Sequence, residues 1–234
     1  MSYITDLVTN NINTKYLSSD IDFCEKNNDA LIVETFNTIS SLAISLYGLY
    51  GLFKSQNDNL KSSLKNKMYL MYCNLIFIGL CSAYFHATIS SLGHLFDVYS
   101  ISCVLSIAIY AINENVLNIN HLLIFLVANS IIGLLCPFLE IFILFLQGIY
   151  VSIKSQQIVN LNHNNIINYY VLNHDIKKRF FKTKILFVTA LLLWLTDFFF
   201  CEQLNGIHLH FIFHILIGKV GYEAIDIIAP LIIK

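Results

Sequence analysis

Near its C-terminus the chain reads HLHFIFHILIGKVGYEAIDII, in which His210 and His214 stand four residues apart among Phe, Ile and Leu. On a helix, positions i and i+4 lie one above the other on the same face, with Cβ atoms about 6 Å apart. Two imidazoles at that spacing can share one metal ion. The same spacing suits two histidines that hydrogen-bond to neighbouring helices. A polar residue inside an apolar helix is expensive, and it marks a functional or paired group. A metal site therefore needs a third ligand from elsewhere in the chain.

The stretch GLCSAYFHATISSLGHLFDVYS offers one. It carries Ser82, His86 one turn later, and Asp97 eleven residues beyond His86. WLTDFFFCEQ adds Asp197. Hydrolytic zinc sites commonly use three protein ligands at about 2.0–2.2 Å and leave the fourth position to water. His86, His210 and His214 are the candidates for those three. A serine within a membrane helix often only bonds a backbone carbonyl. A lone carboxylate there is costly and wants a partner, whether a site or a Lys or His. His94, His121, His163, His174 and His208 fall in loops or at helix ends, where solvated or structural roles fit. Glu140, Lys219, Glu223 and Asp226 lie within or near apolar tracts, and Lys219 and Glu223, four apart, can pair.

A second group of donors precedes the first apolar tract. In SSDIDFCEKNNDALIVETFNTIS, Asp22, Glu25, Asn27 and Glu34 are hard oxygen donors within thirteen residues. Calcium takes six to eight oxygens at about 2.3–2.6 Å. The spacing is not that of an EF-hand, and a helix cap beside a solvated acidic loop is the other reading. Glu34 stands inside the apolar opening of the first helix, where a carboxylate wants a cation.

Positioning these groups requires a membrane. Of 234 residues, 56% are hydrophobic and 12% are charged, against about 25% charged in soluble domains. That composition points to an all-α polytopic membrane protein and excludes a soluble enzyme. The net charge of −1 makes no case for nucleic acid. Only two prolines and nine glycines interrupt the chain, which favours long helices. The opening MSYITDLVTN lacks the basic and apolar regions of a cleavable signal peptide, so the first span is expected to direct insertion. A span needs roughly 20 residues, and apolar tracts at about 31–53, 68–90, 95–112, 119–134, 135–154, 184–202 and 207–232 supply seven. Gly133 and Pro137 divide the longest tract, HLLIFLVANSIIGLLCPFLEIFILFLQGIYV, into two crossings.

Cytoplasmic loops collect Lys and Arg. Lys54, Lys61, Lys65 and Lys67 follow the first span, and Lys154, Lys177, Lys178, Arg179, Lys182 and Lys184 follow the fifth. The opposite side holds Lys15 and Lys26. A seven-transmembrane helix bundle with its N-terminus outside or lumenal and its C-terminus cytosolic is therefore predicted. Its parts are an outer segment over about 1–30, a helical domain over about 31–234, and a solvated cytosolic connector over about 155–183. In that topology Ser82, His86, Asp97, Asp197, His210 and His214 reach one depth near the outer leaflet. Of six cysteines, Cys73, Cys81, Cys103 and Cys136 fall in spans as small hydrophobes. Cys24 and Cys201 fall outside, where an oxidising compartment permits a disulfide.

Taken together, these residues resemble the alkaline ceramidase family, within a wider superfamily of seven-helix membrane hydrolases. Asp22-Phe23-Cys24-Glu25-Lys26-Asn27 is similar to the family's D-W-C-E-x-N, and ETFNTIS from Glu34 to Ser40 to its E-F-x-N-T-x-S. Ser82, His86 and Asp97 match its S-x-x-x-H with a later Asp. Trp194, Asp197 and Cys201 match W-x-x-D-x-x-x-C, and His210 and His214 match its final H-x-x-x-H. The resemblance implies an intramembrane zinc amidase that cleaves ceramide to a sphingoid base and a fatty acid. His86, His210 and His214 would hold zinc, with Ser82 and Asp97 completing the site and Asp197 supporting it. Asp22, the carbonyl of Phe23, Glu25, Asn27 and Glu34 would hold calcium, and Cys24 and Cys201 match the family's disulfide. The implied partners are ceramide and the bilayer, in the endoplasmic reticulum or Golgi, with the plasma membrane as a further candidate.

Departures from the family pattern are Phe23 for Trp, a shorter interval from Asn27 to Glu34, His94 where Gln is familiar, and Val98 in place of an acid. Progestin and adiponectin receptors and lipid-remodelling factors share the Ser, Asp and three-His core, and DFCEKN favours the ceramidase. A transporter or a catalytically silent membrane scaffold is the reading from another class.

Overall fold

A computed structural model of the chain describes residues 23–25, 31–56, 62–113, 116–135, 137–161, 170–204 and 206–228. Asp22 and Asn27 of the expected calcium set lie outside the described residues. Among the described residues there are eight helices and no strand. They are α1 Thr35–Gln56, α2 Ser62–Thr88, α3 Ser91–Ile112, α4 Ile119–Leu135, α5 Pro137–Leu161, α6 Tyr170–Phe199, the short α7 Cys201–Leu204, and α8 His210–Ile228.

Among the described residues, four segments are long and apolar enough to cross a membrane: Thr35–Gln56, Lys65–Thr88, Ser91–Ile112 and Phe142–Val159. Ile119–Gly133 is apolar but shorter. α6 and α8 fall outside that description because they carry the charged and imidazole side chains described below. Large apolar side chains such as Phe36, Leu46, Phe53, Phe187 and Leu192 face outward, while Asn37, Ser41, Ser100 and Ser102 are buried. An apolar exterior around a polar interior is the arrangement lipid demands, because helix association there relies on close packing and internal hydrogen bonds.

Helix ends differ from expectation in one region. The connector expected at about 155–183 is helical through Leu161 and again from Tyr170. A hydropathy pattern stops where charge begins, but a helix continues wherever its own bonds and contacts favour it. α6 has 30 residues, about 45 Å of helix, which exceeds a hydrocarbon core of about 30 Å. Its polar half is held by partners: Arg179 reaches Glu223 and Asp226, and Lys184 bonds Gln156 of α5 at 2.8 Å. Glu223 is thus paired by Arg179 across helices, not by Lys219 on its own helix.

α1 packs between α2 and α8, α6 packs on α8, and α3 joins α2 to α4 and α5. Gly79 decides how close α1 and α2 come. A Cβ there would lie 2.6 Å from the Ser45 amide nitrogen and 2.8 Å from the Ser41 carbonyl oxygen, so any larger residue forces the helices apart. The main apolar core, including Ile44, Met68, Met71, Tyr72, Leu75, Tyr222 and Ile225, lies along the halves of α1, α2 and α8 remote from the histidines.

Candidate metal centre

The centre is built where α2 ends. The N–H groups of Val33 and Glu34 donate to the carbonyls of Ala87 and His86 at 3.2 and 3.1 Å, occupying acceptors that a helix C-terminus leaves open. That pairing sets Glu34 beside His86. Ile89 then takes φ 46°, a left-handed conformation strained for a β-branched residue, and turns the chain toward α3. Ser90 caps α3 by accepting from the Gly93 N–H at 3.0 Å. The reversal returns Asp97 to α2, where its carboxylate hydrogen-bonds Ser82.

His86, from α2, meets His210 and His214, from the first two turns of α8. All three are at most 2% exposed. Their ligand nitrogens lie within 4.8 Å of one another. Ring centroids are 4.9 Å apart for His86 and His210, 4.8 Å for His86 and His214, and 4.5 Å for His210 and His214. The outward nitrogens of two rings are occupied. His86 Nδ1 donates to Glu34 Oε2 at 2.5 Å, and the Asn37 amide also donates to that oxygen at 2.9 Å. His214 Nδ1 meets Ser40 Oγ at 2.9 Å and Ser41 Oγ at 3.3 Å. Nε2 of each is then the nitrogen free for a metal. A ligating imidazole almost always donates its other N–H to a carboxylate or similar acceptor. His210 Nδ1 is buried with no hydrogen-bond partner. This donor set could hold one metal ion.

Ser82 is linked to the triad through a residue the sequence reading passed over. Ser41 Oγ lies 3.1 Å from Ser82 Oγ and 3.3 Å from His214 Nδ1, so Asp97, Ser82, Ser41 and His214 form one chain of polar contacts. Ser40, Ser41 and Asn37 did carry a signal. Glu34, Asn37, Ser41, Ser45 and Gly48 recur at helical spacing along one buried face of an otherwise apolar helix.

Asp197 is fully buried and acts through backbone. Its Oδ1 accepts the N–H groups of Leu209 and His210 at 2.6 and 3.2 Å, and its Oδ2 accepts the Cys24 N–H at 3.2 Å. It thereby fixes the start of α8, where His210 stands. Glu25 caps α1, taking the N–H groups of Phe36 and Asn37 at 2.7 and 2.8 Å, a use of carboxylate that suits a helix N-terminus. Cys24 and Cys201 are free thiols within hydrogen-bonding reach of each other. Burial, with Cys201 and Asp197 alongside, holds the Cys24 thiol above its usual range. Glu140 is buried in the first turn of α5, apart from these groups, against Gly133 of α4.

Comparison with known proteins agrees with this geometry. A family model described as Ceramidase matches residues 15–233. The chain is 29% identical over 247 residues to "Putative alkaline ceramidase dcd3A" of Dictyostelium discoideum, covering 88% of this chain and 83% of that protein. It is 34% identical over 88 residues to "Alkaline ceramidase 1" of Homo sapiens, covering 37% of this chain and 33% of that one. With a match running nearly end to end, the chain belongs to the ceramidase family of membrane-bound amide hydrolases.

Proposed function

We propose that this protein hydrolyses the amide bond of ceramide, releasing a sphingoid base and a free fatty acid, with zinc held by His86, His210 and His214. The observation that carries this reading is the buried convergence of those imidazoles, two of them oriented by Glu34 and Ser40, in a chain of this family. Three nitrogen ligands with one position left open are the pattern of catalytic zinc. When bound, the ion supplies Lewis acidity, which lowers the pKa of water from 15.7 to about 7.

The chain's own residues supply the remaining steps. Asp97 takes the proton from the attacking water and returns it to the departing amine. Ser82 donates to the oxygen that gains charge as the carbonyl is attacked, a contribution of about 3 kcal/mol in comparable hydrolases. Ser41 fixes that hydroxyl relative to His214, and Asp197 holds the backbone of His210. The two chains of the substrate are proposed to lie against the apolar helices that surround the site.

The same proposal includes seven crossings with the N-terminus outside, residence in the endoplasmic reticulum or Golgi, and calcium bound by Asp22, the Phe23 carbonyl, Glu25, Asn27 and Glu34. The adjacency of Cys24 and Cys201 supports a disulfide on an oxidising side of the membrane.

Mass spectrometry of isotopically labelled ceramide incubated with wild type and with His214→Ala tests the reaction. Product is expected from wild type alone; equal product from both would end this assignment. Metal analysis of the purified protein is expected to give one zinc per chain, and its absence would leave a membrane scaffold.

A further inference from the structure

Two of the three imidazoles are oriented by hydrogen bonds, and the third is not. Nδ1 of His210 is buried and unpartnered, yet its ring must face the same point as the others for a metal to bind. The terminal torsion of histidine is intrinsically broad, so something else has to set it. The Phe23 ring lies 3.9 Å from the His210 ring, centroid to centroid, at an interplanar angle of 38°. It also lies 5.5 Å from the His86 ring. Phe213 flanks His210 at 5.2 Å, but that residue sits on the same helix and cannot close the side facing Phe23.

The placement of Phe23 is set by the two residues that follow it. Its neighbour Cys24 donates N–H to Asp197 Oδ2, and the thiol contacts the Asp197 carbonyl oxygen at 3.1 Å. The other oxygen of the same carboxylate holds the Leu209 and His210 amides. One aspartate therefore joins the strap that carries Phe23 to the helix start that carries His210. Glu25 then anchors the far side of the strap on the first turn of α1.

We propose that Phe23 is a positioning residue of the metal centre: its ring, in place of a hydrogen bond, sets the orientation of His210 and walls the site on that side. This inference rests on the metal assignment made above. It assigns the side chain of residue 23 a role separate from any use of its carbonyl. The competing explanation is that Phe23 only fills space in the apolar cluster it shares with Phe85 and Ile89, against which Val33 and Trp194 pack.

Zinc release separates the two. Purified zinc-loaded protein is mixed with excess chromogenic chelator, and the thermal midpoint is measured with and without metal. Phe23→Leu is expected to release zinc about tenfold faster, the scale of lost support around a ligand, and to lower the midpoint of the loaded protein more than that of the metal-free protein. Phe23→Trp, which restores an aromatic face, is expected to release at the wild-type rate. If Phe23→Leu does not fold, Phe23→Met carries the same test. Wild-type release from the leucine or methionine variant, with both midpoints lowered equally, overturns the proposal while leaving the metal assignment intact. A wild type that holds no zinc overturns the metal assignment first, and this inference with it.

Discussion

Helices α1 and α8 are tied together at both ends by opposite means. At one end Ser40 meets His214, inside a cluster whose histidines are at most 2% exposed. At the other, Lys54 bonds Tyr222 and Asp226 at 3.0 and 2.9 Å, and Arg179 of α6 bonds Glu223 and Asp226 at 2.7 and 2.6 Å. There two cations face two acids, the cations are more than 40% exposed, and every charge has its opposite. At the histidine end, three like groups face each other and a buried nitrogen has no partner. A saturated network has nothing left to bind and serves as a tether. Like ligands held together in a buried site, with the outer nitrogens of two of them already engaged, have their remaining valence directed at one point.

That contrast predicts an order of effects. Removing a ligand, as in His86→Ala, should abolish measurable ceramide cleavage and lower zinc affinity by more than about 100-fold, beyond the upper range for supporting partners; metal analysis and product mass spectrometry read both. Glu34→Gln keeps the size but removes the charge that His86 Nδ1 meets, and zinc affinity should fall about 10- to 100-fold in a chelator competition. Gly79→Ala drives a methyl into the α1 backbone and should cost about 1–3 kcal/mol, seen as a lower thermal midpoint with zinc stoichiometry retained once folded. Lys54→Met should cost only about 0.2–1 kcal/mol, since a half-exposed pair is screened by solvent, and zinc release should be unchanged. Fast zinc release from Lys54→Met would show that the two ends are coupled, and the distinction drawn between them would fail.

Much of this was legible in the chain itself. Composition and apolar runs are local properties, so the helical membrane class could be read without coordinates. The two histidines at i and i+4 were legible for the same reason, as was the placement of Ser82 one turn before His86. Helix periodicity also held the polar stripe of α1, although its serines drew no role until His214 was seen against them. Other features depended on segments far apart in sequence. The connector around 155–183 proved largely helical because α6 finds its ion partners on α8, which no window along α6 contains. Asp197 was legible as a supporting residue, but that it holds backbone amides at 24, 209 and 210 was not, because backbone carries no sequence signature. Phe23 was noted for its carbonyl, and only the folded chain sets its ring against His210. Periodicity and composition name which residues face inward on one element. Which atoms then meet is decided by how separate elements pack, because hydrogen bonds and ring contacts are made over a few ångströms between residues that the chain keeps up to 187 positions apart.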